Sequence, residues 1–247
     1  IPNSTRLVVG YDNGEVIVWD WSTGEKVQTL LGADLTNGGR NFVGPDGNSV
    51  ITIGRSGGPD TEVDGLPDGF RMVAWDIESG EPIYRYDGAR GERMIDAVST
   101  PDNKIALISA SLFDEQASNT GGSRLLIVDL ETGEILTEPA LAELTGNNYI
   151  ESIEVNPAGD QAFAIISDVD DEAVATGVFI SLPVAEVEAT VLFDTDADLS
   201  TYSPDGSQIV VLIDDQAQKY FTLLDAMTGE TIRQLGSRTE GHGGKLE

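Results

Sequence analysis

Several residue types that usually carry chemistry are absent or scarce in this chain of 247 residues. It has no cysteine, which excludes disulfide scaffolds and thiolate metal sites, and one histidine, His242, which excludes a site built from several imidazoles. No run approaches the roughly 18 apolar residues that a membrane-spanning helix needs. Walker-type and dinucleotide-binding glycine loops are also missing. We therefore predict that the protein is not an enzyme.

Positive charge is scarce as well. Lysine and arginine number 14 against 43 aspartates and glutamates, so the net charge is -29. A field of that sign repels nucleic-acid phosphates and anionic membranes, and neither is an expected partner. Two explanations stay open: a carboxylate surface that keeps a β-rich protein soluble, or cation-rich surroundings in which Ca²⁺ bridges carboxylates. The sequence does not fix the compartment, although an extracellular or periplasmic one is favoured over the cytoplasm.

Two turns recur along the chain. The first is Pro-Asp-Gly at Pro45, with related turns at Pro101, Pro157 and Pro204, so the spacings are 56, 56 and 47 residues. The second is a Thr/Ser-Gly-Glu turn at residues 23–25, 79–81, 132–134 and 228–230. Repeats of this period indicate one supersecondary unit that is copied along the chain, as in propellers and solenoids.

Short β-branched runs lie between these turns, with almost no helical periodicity. The first unit has three such runs, separated at Asp12-Asn13-Gly14 by a typical hairpin turn, and each later unit has four. Units of four strands are typical of β-propeller blades. We predict an all-β fold, a single β-propeller domain or a portion of one, with antiparallel four-stranded blades near residues 1–35, 36–89, 90–145, 146–194 and 195–236 and a tail at 237–247.

The ends of the third strands resemble a known family. Four of these strands end in a hydrophobic residue, or a hydrophobic residue and tryptophan, followed by aspartate, and each precedes a Gly-Glu turn. The four segments are Val18-Trp19-Asp20, Ala74-Trp75-Asp76, Val128-Asp129 and Leu224-Asp225. In these residues the chain resembles the WD-repeat and related YVTN-type bacterial and archaeal propellers. The resemblance implies a propeller along essentially the whole chain and no particular function.

The chain also departs from that family. The family's buried network of His, Ser/Thr, Asp and Trp cannot form in most blades, since only one histidine is present. The fourth unit has Ile180-Ser181 and Pro183-Val184-Ala185 in place of the Trp-Asp and Gly-Glu marks. We expect this unit to be a degenerate blade that is held by its apolar strands.

Closure of the propeller is a separate question. The first unit lacks its first strand, and the chain begins without methionine. The segment from Gly236 to Glu247 is rich in glycine and is a poor strand by composition. Within it, residues 240–244 resemble the opening of a further repeat. We therefore expect the chain to belong to a longer propeller, for example a seven-bladed one, or to a multidomain protein. The alternative is a closed ring of five blades.

Long connections indicate a binding face. The connections between second and third strands expand at residues 55–69, 110–122, 167–176 and 214–218, and insertions collected on one face of a repeat protein commonly form its binding face. We predict that this face binds a protein partner with a basic surface; the alternative is solvated loops without a specific partner. Its acidic residues are Asp60, Glu62, Asp64, Asp114, Glu115, Asp168, Asp170, Asp171, Asp214 and Asp215.

A calcium site is a further hypothesis. Asp194, Asp196 and Asp198, in the link before the fifth unit, have an alternating spacing that suits oxygen ligands around Ca²⁺, although Leu199 stands where an EF-hand has glycine. We expect no other cofactor. Two alternative functions stay open: a Ca²⁺-assisted propeller enzyme or carbohydrate-binding domain, and a structural subunit of an assembly.

One pattern resembles a catalytic motif. Gly54-Arg55-Ser56-Gly57-Gly58 fits the G-x-S-x-G of serine hydrolases, in which the nucleophile stands on a strand-to-helix turn near a histidine. Pro59 and acidic residues follow instead of a helix. We predict a flexible loop here rather than a nucleophile.

Overall fold

The structure is a computed structural model that describes residues 1, 4–11, 15–30, 39–56, 69–89, 91–113, 120–137, 149–167, 174–183, 186–193, 196–214 and 218–239. These residues form nineteen β-strands, and no helix occurs among them. The strands pair into five antiparallel sheets, which we call blades 1 to 5, and each blade is made of strands that follow one another in the chain.

The bounds of the strands are as follows. Blade 1 consists of β1 (Arg6–Gly10), β2 (Val16–Asp20) and β3 (Glu25–Leu30). Blade 2 consists of β4 (Arg40–Val43), β5 (Ser49–Ser56), β6 (Gly69–Asp76) and β7 (Pro82–Asp87). Blade 3 consists of β8 (Glu92–Ser99), β9 (Ile105–Phe113), β10 (Thr120–Asp129) and β11 (Ile135–Thr137). Blade 4 consists of β12 (Tyr149–Val155), β13 (Gln161–Ser167), β14 (Ala175–Ser181) and β15 (Val187–Phe193). Blade 5 consists of β16 (Asp196–Tyr202), β17 (Gln208–Asp214), β18 (Gln218–Asp225) and β19 (Thr231–Thr239).

The predicted all-β fold, with three strands in the first unit and four in each later one, is confirmed. The Asp-Asn-Gly turn of blade 1 lies outside the described residues, but the strands on either side of it pair as a hairpin, with Gly10 opposite Val16. Blade 4 is a complete sheet although it lacks the sequence marks of the others. Its strands β13 and β14 are apolar and almost entirely buried, which explains why the blade forms without those marks.

Successive blades pack face to face because side chains alternate along a strand. In β6, Val73 and Trp75 pack with Val16 of blade 1, while Met72 and Ala74 pack with blade 3. The same alternation joins blade 3 to blade 4 and blade 4 to blade 5. Four apolar clusters therefore hold the five blades in a row, and no cluster among the described residues joins blade 5 to blade 1.

Polar contacts also join the blades. The first strands lie side by side, since β12 contacts both β8 and β16. There, Asp96 of β8 accepts a hydrogen bond from Nη2 of Arg40 in β4 at 2.9 Å and another from the backbone N–H of Ile153 in β12 at 3.2 Å. One carboxylate, which we call the Asp96 bridge, thus links three blades. Farther out, the hydroxyl of Tyr84 in β7 donates to the carbonyl of Leu130 in blade 3 at 2.9 Å.

The outward face of blade 1 exposes apolar side chains at positions where the equivalent side chains of blade 2 are buried. Ile77, which directly follows the third strand of blade 2, is 1% exposed, whereas Trp21 at the same position of blade 1 is 66% exposed. Leu7 pairs with Trp19 as Val50 pairs with Trp75. Val50 is fully buried, whereas Leu7 is 49% exposed. We call this surface of blade 1 the first end face.

Blade 5 has a similar surface on its other side. Phe221 pairs with Leu212 as Met72 pairs with Ile53 in blade 2. Met72 is fully buried against blade 3, whereas Phe221 is 43% exposed. We call this surface the second end face.

The structure corrects one prediction at the carboxyl end of the chain. The segment from Gly236 onward was expected to be a poor strand, but β19 continues to Thr239. Backbone pairing of Lys219 and Gln218 with Arg238 and Thr239 explains the extension, since a paired partner outweighs a weak local preference. Residues 240–247, where a further repeat was predicted to open, lie outside the described part of the chain.

Candidate functional site

The strand order separates two kinds of connection. The turns between first and second strands and between third and fourth strands lie on one rim of the blades, the turn rim. The connections between second and third strands and the links between blades leave from the opposite rim, the loop rim. This separation follows from antiparallel pairing, in which successive strands run in opposite directions. The segments that contain the acidic residues predicted to bind a partner follow second strands, which end on the loop rim.

On the turn rim, an aspartate at the end of the third strand closes the following turn. In blade 2, Oδ1 of Asp76 accepts hydrogen bonds from the backbone N–H groups of Glu78 at 3.1 Å and Ser79 at 2.7 Å, and from the Ser79 hydroxyl at 2.8 Å. These bonds, that of the Ser79 backbone first, hold the pKa of Asp76 below its usual value. Gly80 then adopts a φ of 72°, which favours glycine. The same arrangement recurs at Asp20, Asp129 and Asp225.

The turns between first and second strands use polar side chains in a related way. Oδ1 of Asp205 accepts hydrogen bonds from the Ser203 hydroxyl at 2.6 Å, the Ser207 backbone at 3.1 Å and the Ser207 hydroxyl at 2.8 Å. These bonds, led by that of Ser203, lower the pKa of Asp205 to about 2. Other polar side chains close the equivalent turns, namely Asp46, Asp102 and Asn156. The aspartates of the turn rim are therefore bound by their own turns.

Most residues of the predicted acidic face lie outside the described part of the chain. They are Asp60, Glu62, Asp64, Asp114, Glu115, Asp168, Asp170, Asp171 and Asp215, together with the calcium candidate Asp194. The strands that flank them are described and end at Ser56, Phe113, Ser167 and Asp214. All four connections therefore leave the blades on the loop rim, and the partner face stays a prediction.

Asp214 is described, and it lies beside a lysine. Its Oδ2 is 2.5 Å from Nζ of Lys219, and the two residues pair across β17 and β18. Asp196 pairs with Asp214 from the other side, so Asp196 and Asp198 belong to β16. The prediction that they form a link between blades is therefore wrong, because the backbone is already paired at Asp196 and forms a bulge at Asp198. Calcium binding by Asp194, Asp196 and Asp198 stays a prediction. Among the described residues, no group of three or more His, Cys, Asp or Glu side chains is placed to hold a metal ion.

Two arginines near the loop rim were missed by sequence reasoning. Arg71 and Arg124 each stand five residues before the aspartate that ends a third strand, and this recurrence was a visible signal. The guanidinium of Arg124 binds Glu92, whose side chain is 2% exposed, through Nε and through Nη2 at 3.0 Å from Oε2. Nη2 also donates to the hydroxyl of Tyr86 in blade 2 at 3.3 Å. Its bond to Glu92 raises the pKa of Arg124, and the pair ties blade 3 to blade 2.

One carboxyl group among the first strands has a raised pKa. Burial, and then the negative charge of Asp96, raise the pKa of Glu154 in β12. Such a shift can mark a functional group, but proton-transfer catalysis also needs a reacting partner within hydrogen-bond reach. Asp96, whose charge is the second cause of the raised pKa, is itself bound to Arg40 and to the backbone of Ile153. These bonds of Asp96 join blades, so the raised pKa of Glu154 is explained by its place beside this tie between blades.

The pattern that resembled a hydrolase motif lies in a strand. Gly54, Arg55 and Ser56 are the last residues of β5 and pair with the beginning of β6, with Ser56 opposite Gly69. A nucleophile of that class needs a sharp strand-to-helix turn. The paired geometry at Ser56 does not provide one. The predicted loop at this place is also wrong for these three residues, because pairing with β6 extends β5 through them; the two following glycines lie outside the described residues.

Comparison with known proteins supports the fold. No family model matches the chain, and no curated protein matches it in sequence. Hydrazine synthase of Kuenenia stuttgartiensis is similar in structure, with a TM-score of 0.61 and 16% identity over 90% of this chain and 60% of that one. Dihydro-heme d1 dehydrogenase NirN in complex with DHE has a TM-score of 0.65 and 15% identity over 95% of this chain and 44% of that one. The C-terminal WD40 domain of Sif2 has a TM-score of 0.59 and 13% identity over 93% of this chain and 56% of that one.

These similarities show a β-propeller fold of four-stranded blades, with a WD40 domain among the similar structures. Identities of 13–16% show the fold alone, because one propeller scaffold hosts many unrelated functions. The chain spans 44–60% of the length of these proteins. Within the described residues, no helix could span a membrane.

Proposed function

We propose that the chain is a non-catalytic propeller module that binds a protein partner with a basic surface through its loop rim. The observation that supports this most directly is a difference between the carboxylates of the two rims. Residues 57–68, 114–119, 168–173 and 215–217 of the loop rim contain four, two, four and one carboxylates and no lysine or arginine. On the turn rim, by contrast, the recurring aspartates accept hydrogen bonds from their own turns.

Two physical arguments favour a protein partner. Extra length in repeat proteins collects on the face that binds, because the blades themselves do not need it. A surface of one charge sign attracts a partner of the opposite sign and accelerates encounter. Together they favour a basic protein surface as the partner of the loop rim.

Kinship with the WD-repeat family is a further part of this proposal. Blade 2 keeps a portion of the family's buried network, since Nε1 of Trp75 donates to Oγ1 of Thr52 at 3.0 Å and Oγ1 of Thr52 donates to the carbonyl of Val73 at 3.3 Å. The similarity to the WD40 domain of Sif2 agrees with this kinship.

The experiment compares two variants that lose the same charge on opposite rims. The loop-rim variant has Asp168→Asn, Asp170→Asn, Asp171→Asn and Asp215→Asn. The turn-rim control has Glu25→Gln, Glu78→Gln, Glu131→Gln and Glu230→Gln, four exposed positions. Binding of both variants and of the unchanged protein to an immobilised lysine-rich peptide is measured over a series of salt concentrations.

The proposal expects a larger loss of affinity and a shallower salt dependence in the loop-rim variant than in the turn-rim control. Equal losses in the two variants would mean that the peptide senses only the net charge of the protein, and the loop rim would then not be the binding face. Thermal unfolding of both variants checks that each is folded.

A second candidate function is favoured by the two end faces. A structural role in a longer propeller or an assembly would place a further blade against the first end face or the second end face, because each internal interface of this molecule joins surfaces of these two kinds. Sedimentation velocity tests this role. Association that rises with protein concentration and is reduced by Trp21→Ala would support it, and a monomer at every concentration would argue against it.

A further inference from the structure

A groove lies between blades 1 and 2. It runs along β7 on the side that faces β3 and has a volume of about 430 Å³. Pockets of roughly 300–1,000 Å³ hold small organic molecules. Its apolar lining comes from Val73, Trp75 and Pro82, and its positive charges come from Arg71 and Arg85.

Arg71 has a hydrogen-bond donor that the described residues leave unmatched. Its side chain is 10% exposed, and its Nε donates to Oδ1 of Asp87 at 2.6 Å. Its Nη2 is buried and has no hydrogen-bond partner among the described residues. Arg124, the equivalent residue of blade 3, uses its Nη2 to bind both Glu92 and Tyr86. A buried donor without an acceptor is costly and rare in folded proteins, so the Nη2 of Arg71 suggests a ligand.

The local charge at this end of the groove favours an anion. Asp87 accepts hydrogen bonds from Arg71 and also from Nε of Arg85 at 2.7 Å. One carboxylate therefore faces two guanidinium groups, which leaves one positive charge in excess. Glu81 also lines the groove, but it stands six residues before Asp87, which corresponds to about 20 Å along a strand. At contact distance the nearby guanidinium groups outweigh the net negative charge of the chain, because salt screens charges beyond about 10 Å.

We propose that this groove binds a small organic carboxylate. The carboxylate accepts hydrogen bonds from the guanidinium groups of Arg71 and Arg85, since the planar arginine fork matches the geometry of a carboxylate. The apolar body of the ligand lies along Val73, Trp75 and Pro82. Between Arg71 and Trp75, strand β6 extends for about 13 Å, which accommodates an aromatic ring and a short linker.

The test uses the full chain labelled with ¹⁵N and titrated with benzoate. Benzamide serves as the uncharged counterpart of the same shape, and inorganic phosphate as an anion without an apolar body. Benzoate is expected to bind in the millimolar range and to shift the indole N–H resonance of Trp75, whereas those of Trp19 and Trp21 stay unchanged. Equal binding of benzamide, equal binding of phosphate, or no shift with benzoate would each overturn the proposal.

Variants locate the binding to Arg71. Arg71→Gln is expected to lower the affinity for benzoate about tenfold or more, as for other hydrogen bonds between charged groups. Lys104→Gln removes the same unit of charge from an exposed pair with Asp102 and should leave the affinity unchanged. If Arg71→Gln does not fold, Arg71→Lys keeps the charge but lacks the fork, and it should also weaken binding. Unchanged affinity in a folded Arg71 variant, or an equal loss in Lys104→Gln, would overturn the proposal.

Discussion

Replacing Ile77 with alanine should destabilise the protein far more than replacing Trp21, although the two residues occupy the same position in their blades. Ile77 is 1% exposed and packs with Leu30 and Val50 between blades 1 and 2. Truncation of a fully buried isoleucine costs about 2–5 kcal/mol of unfolding free energy, because apolar contacts are lost and a cavity remains. Trp21 is 66% exposed, so its removal exposes little new surface and should cost about 1 kcal/mol or less.

Urea unfolding followed by far-ultraviolet circular dichroism measures both free energies without relying on tryptophan fluorescence, to which the Trp21 variant has lost one of the three contributing residues. Ile77→Val provides a graded control and should cost about 0.5–1.5 kcal/mol. The dependence of the unfolding free energy on urea concentration should stay constant across the variants, since the same surface is exposed on unfolding.

Equal destabilisation by Trp21→Ala and Ile77→Ala would refute this reasoning. It would mean that Trp21 is buried in solution and that the first end face is covered. A loss of less than about 1 kcal/mol in Ile77→Ala would instead contradict the packing of blade 2 against blade 1.

Three further predictions test the turns and one ion pair. Gly24 and Gly133 have positive φ values of 74° and 76°, so alanine at either position should cost about 1–2 kcal/mol of unfolding free energy from the backbone alone. Gly133→Ala should cost more than Gly24→Ala, because its Cβ would stand 2.5 Å from the ring of Tyr84. Equal melting temperatures of the two variants would contradict this. The pKa of Asp205 lies at about 2 in the folded protein, below its ordinary 3.8, so its stabilising contribution is complete above that ordinary value and is lost as the pH falls towards 2. The loss of melting temperature in Asp205→Asn should therefore shrink in that window, and a deficit that does not change with pH would count against the hydrogen bonds of this turn. Glu92→Gln removes the charge that faces Arg124, whose side chain is 36% exposed, and should cost about 1.5–3 kcal/mol. Lys104→Gln at an exposed pair should cost less than about 1 kcal/mol. Similar losses in chemical denaturation would show that the Glu92 pair behaves as a surface pair.

The blades could be predicted from the sequence because their turns are local. The Asp-x-x-Thr/Ser-Gly-Glu segment contains its own hydrogen-bond donors and acceptor, as Asp76 and Ser79 show, so the same letters give the same turn wherever they stand. Strand ends were harder to predict, because a partner strand decides them. β5 continues through Gly54 and Ser56 only because β6 pairs with both.

A recurring bulge was also missed. The pairing of first and second strands shifts register at Ile95, Glu151 and Asp198, in blades 3, 4 and 5. These positions are 56 and 47 residues apart, the same spacings as the proline turns. Ile95 is apolar, whereas Glu151 and Asp198 are acidic, so no single residue type marks the bulge in the sequence. The repeat period could have predicted the positions once one bulge was known.

The candidate site was less accessible than the fold. The acidic loop-rim residues were found by counting charges, and of those predicted, Asp214 lies in the described part of the chain, beside Lys219. Arg71 and Arg124 recur at one position, but only the structure shows that Arg124 is bound by Glu92, whereas Arg71 lines a groove and its Nη2 has no partner among the described residues. The difference depends on residues from other strands, which local sequence does not report.

The range of sequence separation among the contacts has a consequence for how the chain acquires its fold. The bonds that close the turn rim join residues two or three positions apart, as from Asp76 to Ser79, and hairpins closed by short turns form within about 1–10 μs. The Asp96 bridge joins residues 56 and 57 positions apart, so it can form only after long stretches of chain have been brought together, at a larger entropic cost. Folding can therefore start in any blade and spread to its neighbours, with the amide of Ile153 gaining protection in pulse-labelled hydrogen exchange after the amides of β6 and β7.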